Sequence, residues 1–281
     1  MSTDAAELIA QGLAEDIGAG DLTSTLTVPE DARARARIVQ KGPGVLFGLD
    51  FAAEAFRQAG GGELDKLMIE GVWRDAVPAE VAFISGNARG ILAGERVALN
   101  LLGHLSGVAT LTARYVEAIR EAGGRAALLD TRKTTPGLRV LEKAAVLAGG
   151  GHNHRRGLDD AILIKENHIA LAGGLEATVA RAREGAGGVP IEVECGDADE
   201  VRAALASGAE RLLLDNMGPA ELRVCVGLRE AAGSEAALEA SGGVSLANVG
   251  EIATTGVDFI SVGALTHSAP QLDISLLLEP V

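Results

Sequence analysis

Arg132 and Lys133 stand just after an apolar run that ends at Asp130, and Lys165 ends a second such run, AILIK. His154 and Arg155 lie between them, in the segment HNHRRGLDD. A guanidinium grips a carboxylate or phosphate at two points, whereas an ammonium acts as a compact point charge. A substrate with two carboxylates, or with phosphates, would use the whole set. Glu194 and Asp215 close two later runs, IEVEC and RLLLDN. Carboxylates so placed can hold ribose hydroxyls, bind a divalent metal or stabilise a developing cation. Ser241, Gly242 and Gly243, then Gly263 and Ala264, follow the last two runs, where backbone N–H groups can cradle phosphate. Surface ion pairing is the plain alternative for the cations, and tight turns are the plain alternative for the glycines. For Lys165 that alternative is weak, because a lysine ending an apolar strand must find a partner. For His152 and Arg156 it is the better reading. Glu192 shares a strand face with Glu194 and reads as structural.

These residues need a frame that brings six strand ends together. Six short apolar runs, each ending in a polar residue or glycine, alternate with helix-like stretches from Ala127 onward. That order predicts parallel strands of a β/α barrel, with chemistry at their carboxyl ends. Six runs do not complete an eight-stranded barrel. The predicted domains are an α/β sandwich over 1–108 and a barrel over 109–267, with the tail 268–281 packing back on the first. In the first domain, 4–15 reads as a helix, EDIGAGDLTS as turns, and 34–48 and 79–92 as strand-like runs. A long helix is predicted from about Gly94 to Ala122. Thr135–Pro136 and Ser245 are predicted to start helices, as are Asp197 with Glu200 and Pro219. Gly208 is predicted to close one.

Composition narrows the partners. The net charge is -14 and aromatics make up 2% of the 281 residues. Nucleic acid calls for a basic footprint and stacking rings, so it is excluded. The charge is uneven: from Asp130 to His168 there are seven Lys/Arg and five Asp/Glu, against 18 and 34 elsewhere. A basic island in an acidic protein suits a small anion. The longest uncharged run, 97–113, contains Asn100, His104, Ser106 and Thr110, so no membrane span is expected. The acidic amino terminus predicts no signal peptide, and two cysteines predict no disulfide framework; both point to the cytoplasm. No Walker A loop, GxGxxG, HExxH or GxSxG motif is present.

The run DTRKTTPGLRVLEKAAVLAGGGHNHRRGLDDAILIKENH resembles the signature of the quinolinate phosphoribosyltransferase family. The blocks AEDIGAGDLTS, GERVALNLLGHLSGVAT, IEVEC, LLLDNM, EASGG and SVGALTHSAPQLDISL are similar to its other blocks, so the likeness spans nearly the whole chain. The resemblance implies an amino-terminal α/β sandwich domain plus an open, incomplete α/β barrel. It implies a homodimer with shared active sites and leaves a higher oligomer open. It implies transfer of phosphoribose from phosphoribosyl pyrophosphate to quinolinate with Mg²⁺, giving nicotinate mononucleotide, pyrophosphate and carbon dioxide for NAD synthesis. By motif, Thr131, Arg132, His154, Arg155 and Lys165 would surround quinolinate, and Lys133 would reach quinolinate or pyrophosphate. Arg96 would come from the partner subunit. Glu194 and Asp215 would hold ribose and metal, with Lys133, Glu194 and Asp215 as the catalytic set. Ser241, Gly242, Gly243, Val262, Gly263 and Ala264 would hold the 5′-phosphate. The rival readings are a related phosphoribosyltransferase acting on another base, and a non-catalytic barrel that holds phosphate.

Overall fold

Alternation in RARARIVQ puts Ala34, Ala36 and Ile38 on one face of a strand and the arginines on the other. That pattern seeds the first of two compact units in the computed structural model, which describes residues 3–281. The first unit comprises the chain up to Ala113, Thr135–Gly150 and Leu265–Val281; the second comprises Arg114–Thr134 and Gly151–Ala264.

The chain starts with α1 (Thr3–Ile17), α2 (Leu22–Thr27), β1 (Arg33–Gln40), β2 (Gly44–Val45) and α3 (Leu49–Gln58). β3 (Glu63–Lys66), β4 (Trp73–Arg74), β5 (Ala79–Asn87) and α4 (Ala88–Glu121) follow. After β6 (Ala127–Leu129) come α5 (Arg139–Ala148), β7 (Ile162–Ile164), α6 (Glu166–Ala172) and α7 (Leu175–Gly185). Then β8 (Ile191–Cys195), α8 (Ala198–Ala206), β9 (Arg211–Asp215) and α9 (Pro219–Ala231) alternate. The chain closes with β10 (Ala237–Ser241), α10 (Val249–Ala253), β11 (Phe259–Ser261), α11 (Ala264–His267) and β12 (Ile274–Pro280).

In the first unit an antiparallel sheet runs β12-β1-β5-β3. Its inner face meets α1 and α3. Ile9 and Leu13 of α1 and Leu49, Ala52, Ala55 and Phe56 of α3 recur at helical spacing and are buried in one core with Ile38 and Ile84. On the sheet's other face the Arg35 guanidinium lies 4.1 Å from the Phe83 ring centre. The tail supplies β12, which pairs antiparallel with β1.

The second unit carries six parallel strands in the order β6-β11-β10-β9-β8-β7. Among the described residues no ladder joins β7 back to β6, so the barrel is open. A single parallel bridge, Leu129 to His152, sits beside β6. Residues of one parity face the helices as a buried apolar set: Ile191, Val193 and Cys195 on β8, Leu212 and Leu214 on β9. The opposite parity faces the barrel interior and carries Glu192, Glu194, Arg211 and Asp215. Cys195 is fully buried, and burial pushes its thiol up to about 12, as suits an inert core residue.

All six expected strands are present; several predicted boundaries move. The strand expected over 79–92 stops at Asn87, whose side chain accepts the Gly90 N–H at 3.1 Å and so starts α4 six residues before Gly94. The expected turn at DLTS is helix α2, with Asp21 accepting the Ser24 N–H at 3.0 Å. Thr135 does not start α5. Gly137 at φ +84 keeps 135–138 as a turn, and the helix begins at Arg139. Ser245 opens a turn closed by Asn248, and α10 starts at Val249. Asp197 caps α8 as predicted, while Glu200 accepts the Gly196 N–H at 2.7 Å. Pro219 is the first residue of α9, and Gly208 follows α8 at φ +75. Among the described residues no helix is long and apolar enough to cross a membrane.

Candidate active site

The interior-facing parity brings the predicted residues to one place. A cavity of 210 Å³ at the carboxyl ends of the strands is lined by Thr131, Arg132, Lys133, His154, Arg155, Lys165, Glu194, Asp215 and Ser241. Leu163, Leu213, Glu239 and Ser261 complete its walls. Glu239 and Ser261 were not among the predicted residues. The signal that finds them is parity: each lies two residues before a strand-end position already singled out, Ser241 and Gly263.

The cation side is built by local hydrogen bonds. Asp130 is fully buried after β6, and its Oδ1 accepts the His154 N–H at 2.8 Å. The Asp130 N–H donates to the His152 carbonyl at 3.1 Å, and the His152 N–H donates to the Leu128 carbonyl at 2.8 Å. The NHRR segment is thereby strapped to the end of β6, next to the loop that carries Arg132 and Lys133. Thr131 Oγ1 accepts the Lys133 N–H at 3.0 Å and shapes that loop. Arg155 donates from Nη1 to the Ala161 carbonyl at 3.2 Å. Burial, and then the positive charge of Arg132 beside it, hold the Arg155 guanidinium below its ordinary range. Crowded cations of this kind favour an anion between them. The side chain of His152 is exposed, and the Arg156 N–H closes a turn on Asp160.

On the opposite wall Lys165 Nζ is ion-paired with the Glu194 carboxylate. Asp215 Oδ2 accepts from the Asn216 side chain at 2.7 Å, which orients it. Asn216 adopts φ +56 and donates its N–H to the Ser241 carbonyl at 2.8 Å. Gly242 is at φ +87, and a Cβ there would collide with the Asn216 side chain, so only glycine fits. Gly243 also has positive φ, at +61. Ala240 pairs with Ile260 in the ladder, so Gly242–Gly243 and Gly263–Ala264 leave the sheet at neighbouring strand ends. The Val262 N–H is already taken up by the Leu129 carbonyl at 2.9 Å.

The floor is ionic. His154 Nε2 lies 3.1 Å from Glu192 and 3.5 Å from Glu239. Burial opposes a charge on His154, but the hydrogen bonds to Glu192 and Glu239 outweigh it and raise its pKa to about 9. The Arg155 N–H, 2.7 Å from Nδ1, favours a lone pair there. The carboxylates at Nε2 oppose that preference and favour the charged ring. Burial raises the Glu192 pKa. Glu239 is buried too, but His154 and Arg211 lower its pKa.

Of the predicted residues, Gly242, Gly243, Val262, Gly263 and Ala264 do not line this cavity, and neither does Arg96. It lies on α4 in the first unit and lines another cavity, of 460 Å³, with Glu15, Asp16 and Asn100.

The strand ends gather clustered cations and carboxylates in one cavity, beside the glycine-rich ends of β10 and β11. Residues 21–106 match "Quinolinate phosphoribosyl transferase, N-terminal domain", and residues 108–277 match the C-terminal domain of the same description. The chain belongs to the quinolinate phosphoribosyltransferase family. A protein of Synechocystis sp. is 47% identical over 95% of this chain and 90% of its own length. The nicotinate-nucleotide pyrophosphorylase [carboxylating] of Mycobacterium leprae is 40% identical over 97% of this chain and 96% of its own. The solved nicotinate-nucleotide pyrophosphorylase of Francisella tularensis superposes with TM-score 0.91 at 39% identity, covering 98% of this chain and 96% of that one.

Proposed function

We propose that this protein joins quinolinate to phosphoribosyl pyrophosphate, releasing pyrophosphate and carbon dioxide and leaving nicotinate mononucleotide for NAD synthesis. The observation that carries the reading is one cavity lined by Arg132, Lys133, Arg155 and Lys165 together with Glu194 and Asp215. A dicarboxylate needs the first set, and a developing cation needs the second. A simple phosphate receptor would avoid those two carboxylates, because they repel its ligand.

The chemistry follows from that opposition. Arg132, His154 and Arg155 clamp the two adjacent carboxylates and aim the ring nitrogen at the anomeric carbon. The nitrogen–carbon bond forms as the carbon–oxygen bond to pyrophosphate breaks. Positive charge builds on the ribose, and Glu194 and Asp215 stabilise it. Lys133 neutralises the departing pyrophosphate. The ring nitrogen is now a pyridinium. The bond to the neighbouring carboxyl group breaks, carbon dioxide leaves, and the electron pair stays on the ring carbon beside the positive nitrogen. That carbon then takes a proton. Ser241, Gly242, Gly243, Gly263 and Ala264 hold the 5′-phosphate, and Val262, whose N–H is bonded to Leu129, anchors that strand end.

Mg²⁺ fits the donor set. It takes one or two carboxylates and fills its other positions with water and substrate phosphate oxygens. Glu194 and Asp215 are two hard oxygen donors on one cavity wall, and Asp215 is already oriented by Asn216. They would hold the ion, which would supply charge neutralisation for pyrophosphate. We further propose a homodimer in which Arg96 reaches the partner's cavity, supported by its exposed position on α4. The two buried free thiols suit a reducing cytoplasm.

Incubation with quinolinate, phosphoribosyl pyrophosphate and Mg²⁺, with products identified by mass, tests the reaction. Nicotinate mononucleotide should form from quinolinate and not from nicotinate. Product from nicotinate as well would remove the dicarboxylate reading.

A further inference from the structure

Two glutamates lie beneath a cavity that is read as taking a dianion. Glu239 is fully buried and lines the cavity, and Glu192 is 4% exposed. Left alone they would repel the ligand through a medium that screens poorly. The residue that answers them is Arg211, which does not line the cavity. It opens β9, opposite Glu192 in the ladder. Its guanidinium is ion-paired with Glu239, its Nε lies 3.2 Å from Glu192 Oε1, and it stacks 4.1 Å from the Phe259 ring centre.

We propose that Arg211 is a positioning residue for the dicarboxylate site: through Glu239 and Glu192 it fixes the His154 ring and cancels the negative charge beneath the cavity. The inference rests on the proposed function, because it takes the cavity to bind quinolinate. Each glutamate lies within ion-pair distance of both His154 and Arg211, so the four side chains form a closed cluster; Arg211 Nη2 bonds Glu239, while its Nε approaches Glu192 Oε1 without a hydrogen bond. The imidazolium state of His154, with its pKa raised to about 9, belongs to that balance. The ligand atoms of His154, Glu192 and Glu239 lie within 4.8 Å of one another, a spacing that would suit a metal. Arg211 already supplies the positive charge at that point. A lysine could not replace it fully, because a compact ammonium cannot pair with Glu239, approach Glu192 and lie against the Phe259 ring at once.

The test compares the wild-type protein with Glu239→Gln and Arg211→Lys. The readouts are KM for each substrate, kcat, calorimetric affinity for phthalate, and the His154 ring ¹⁵N shift at pH 7.5. Phthalate is the nitrogen-free analogue of quinolinate. In Glu239→Gln we expect KM for quinolinate and Kd for phthalate to rise about tenfold or more, the loss of one charge-assisted bond. KM for phosphoribosyl pyrophosphate and kcat should move less than about threefold. His154 should read as imidazolium in the wild type and as neutral in Glu239→Gln, and Arg211→Lys should fall between the two. Unchanged phthalate affinity in both folded variants would overturn the inference. If Glu239→Gln does not fold, a neutral His154 in the wild type, or wild-type affinity in Arg211→Lys, overturns it equally. Wild-type protein that binds neither quinolinate nor phthalate would sink the functional reading, and the inference with it. That outcome is distinct, because it appears before any variant is made.

Discussion

The two units use their interiors in opposite ways. In the first, the sheet and α1 and α3 close over Ile9, Leu49, Phe56, Ile38 and Ile84, a dry apolar core. In the second, one strand parity builds the same kind of core against the helices, and the other parity faces the barrel interior with Glu192, Arg211, Glu239, Glu194 and Lys165. A filled apolar core supplies stability, and an ionic interior supplies binding at a cost in stability. Within the second unit the two tasks are divided by strand parity, a division that the sheet core of the first does not need.

That division can be broken from either side, and the largest expected effect is on the apolar side. Phe56→Ala should lower unfolding free energy by about 3–5 kcal/mol, read by denaturant titration. Affinity for phthalate in the remaining folded protein should be unchanged. Glu194→Gln should lower kcat by about a hundredfold or more, with little change in melting temperature, since it removes charge that matters at the transition state. Arg155→Ala should weaken phthalate binding by about ten- to a hundredfold, the worth of a charge-assisted pair, measured by calorimetry. The smallest effect is a pH dependence. A raised histidine pKa means that the charge is favoured in the folded protein. Its contribution is complete below the ordinary value near 6.5 and is lost as pH rises through about 9. Phthalate affinity should therefore hold to about pH 8.5 and decline above 9. A decline centred near 6.5 would show that Glu192 and Glu239 do not hold the proton.

The strands of the second unit were legible because each is a short apolar run closed by a polar residue. Of the cavity set, Arg132, Lys133, Lys165, Glu194 and Asp215 are legible from the same ends, whereas His154 and Arg155, in the loop between two strands, are assigned by the resemblance of their segment to the family. Helix starts were less so. Thr135–Pro136 has the composition of a cap, yet Gly137 takes a left-handed φ that only the folded loop reveals. Asn87 ends a strand and caps a helix with one side chain, which composition cannot distinguish. Arg211 is not legible for a different reason. It opens a strand, whereas the chemistry of a barrel gathers at the carboxyl ends, and its importance comes from two glutamates on neighbouring strands. Such pairings follow from ladder register, which no single run of sequence displays.

The most direct test of the central claim uses quinolinate labelled in the carboxyl group next to the ring nitrogen. Release of labelled carbon dioxide is followed with and without phosphoribosyl pyrophosphate. Release that depends strictly on phosphoribosyl pyrophosphate is predicted, because the carbon–carbon bond breaks only after the ring nitrogen becomes a pyridinium. Release in its absence, or consumption of phosphoribosyl pyrophosphate with the label retained, would contradict the account.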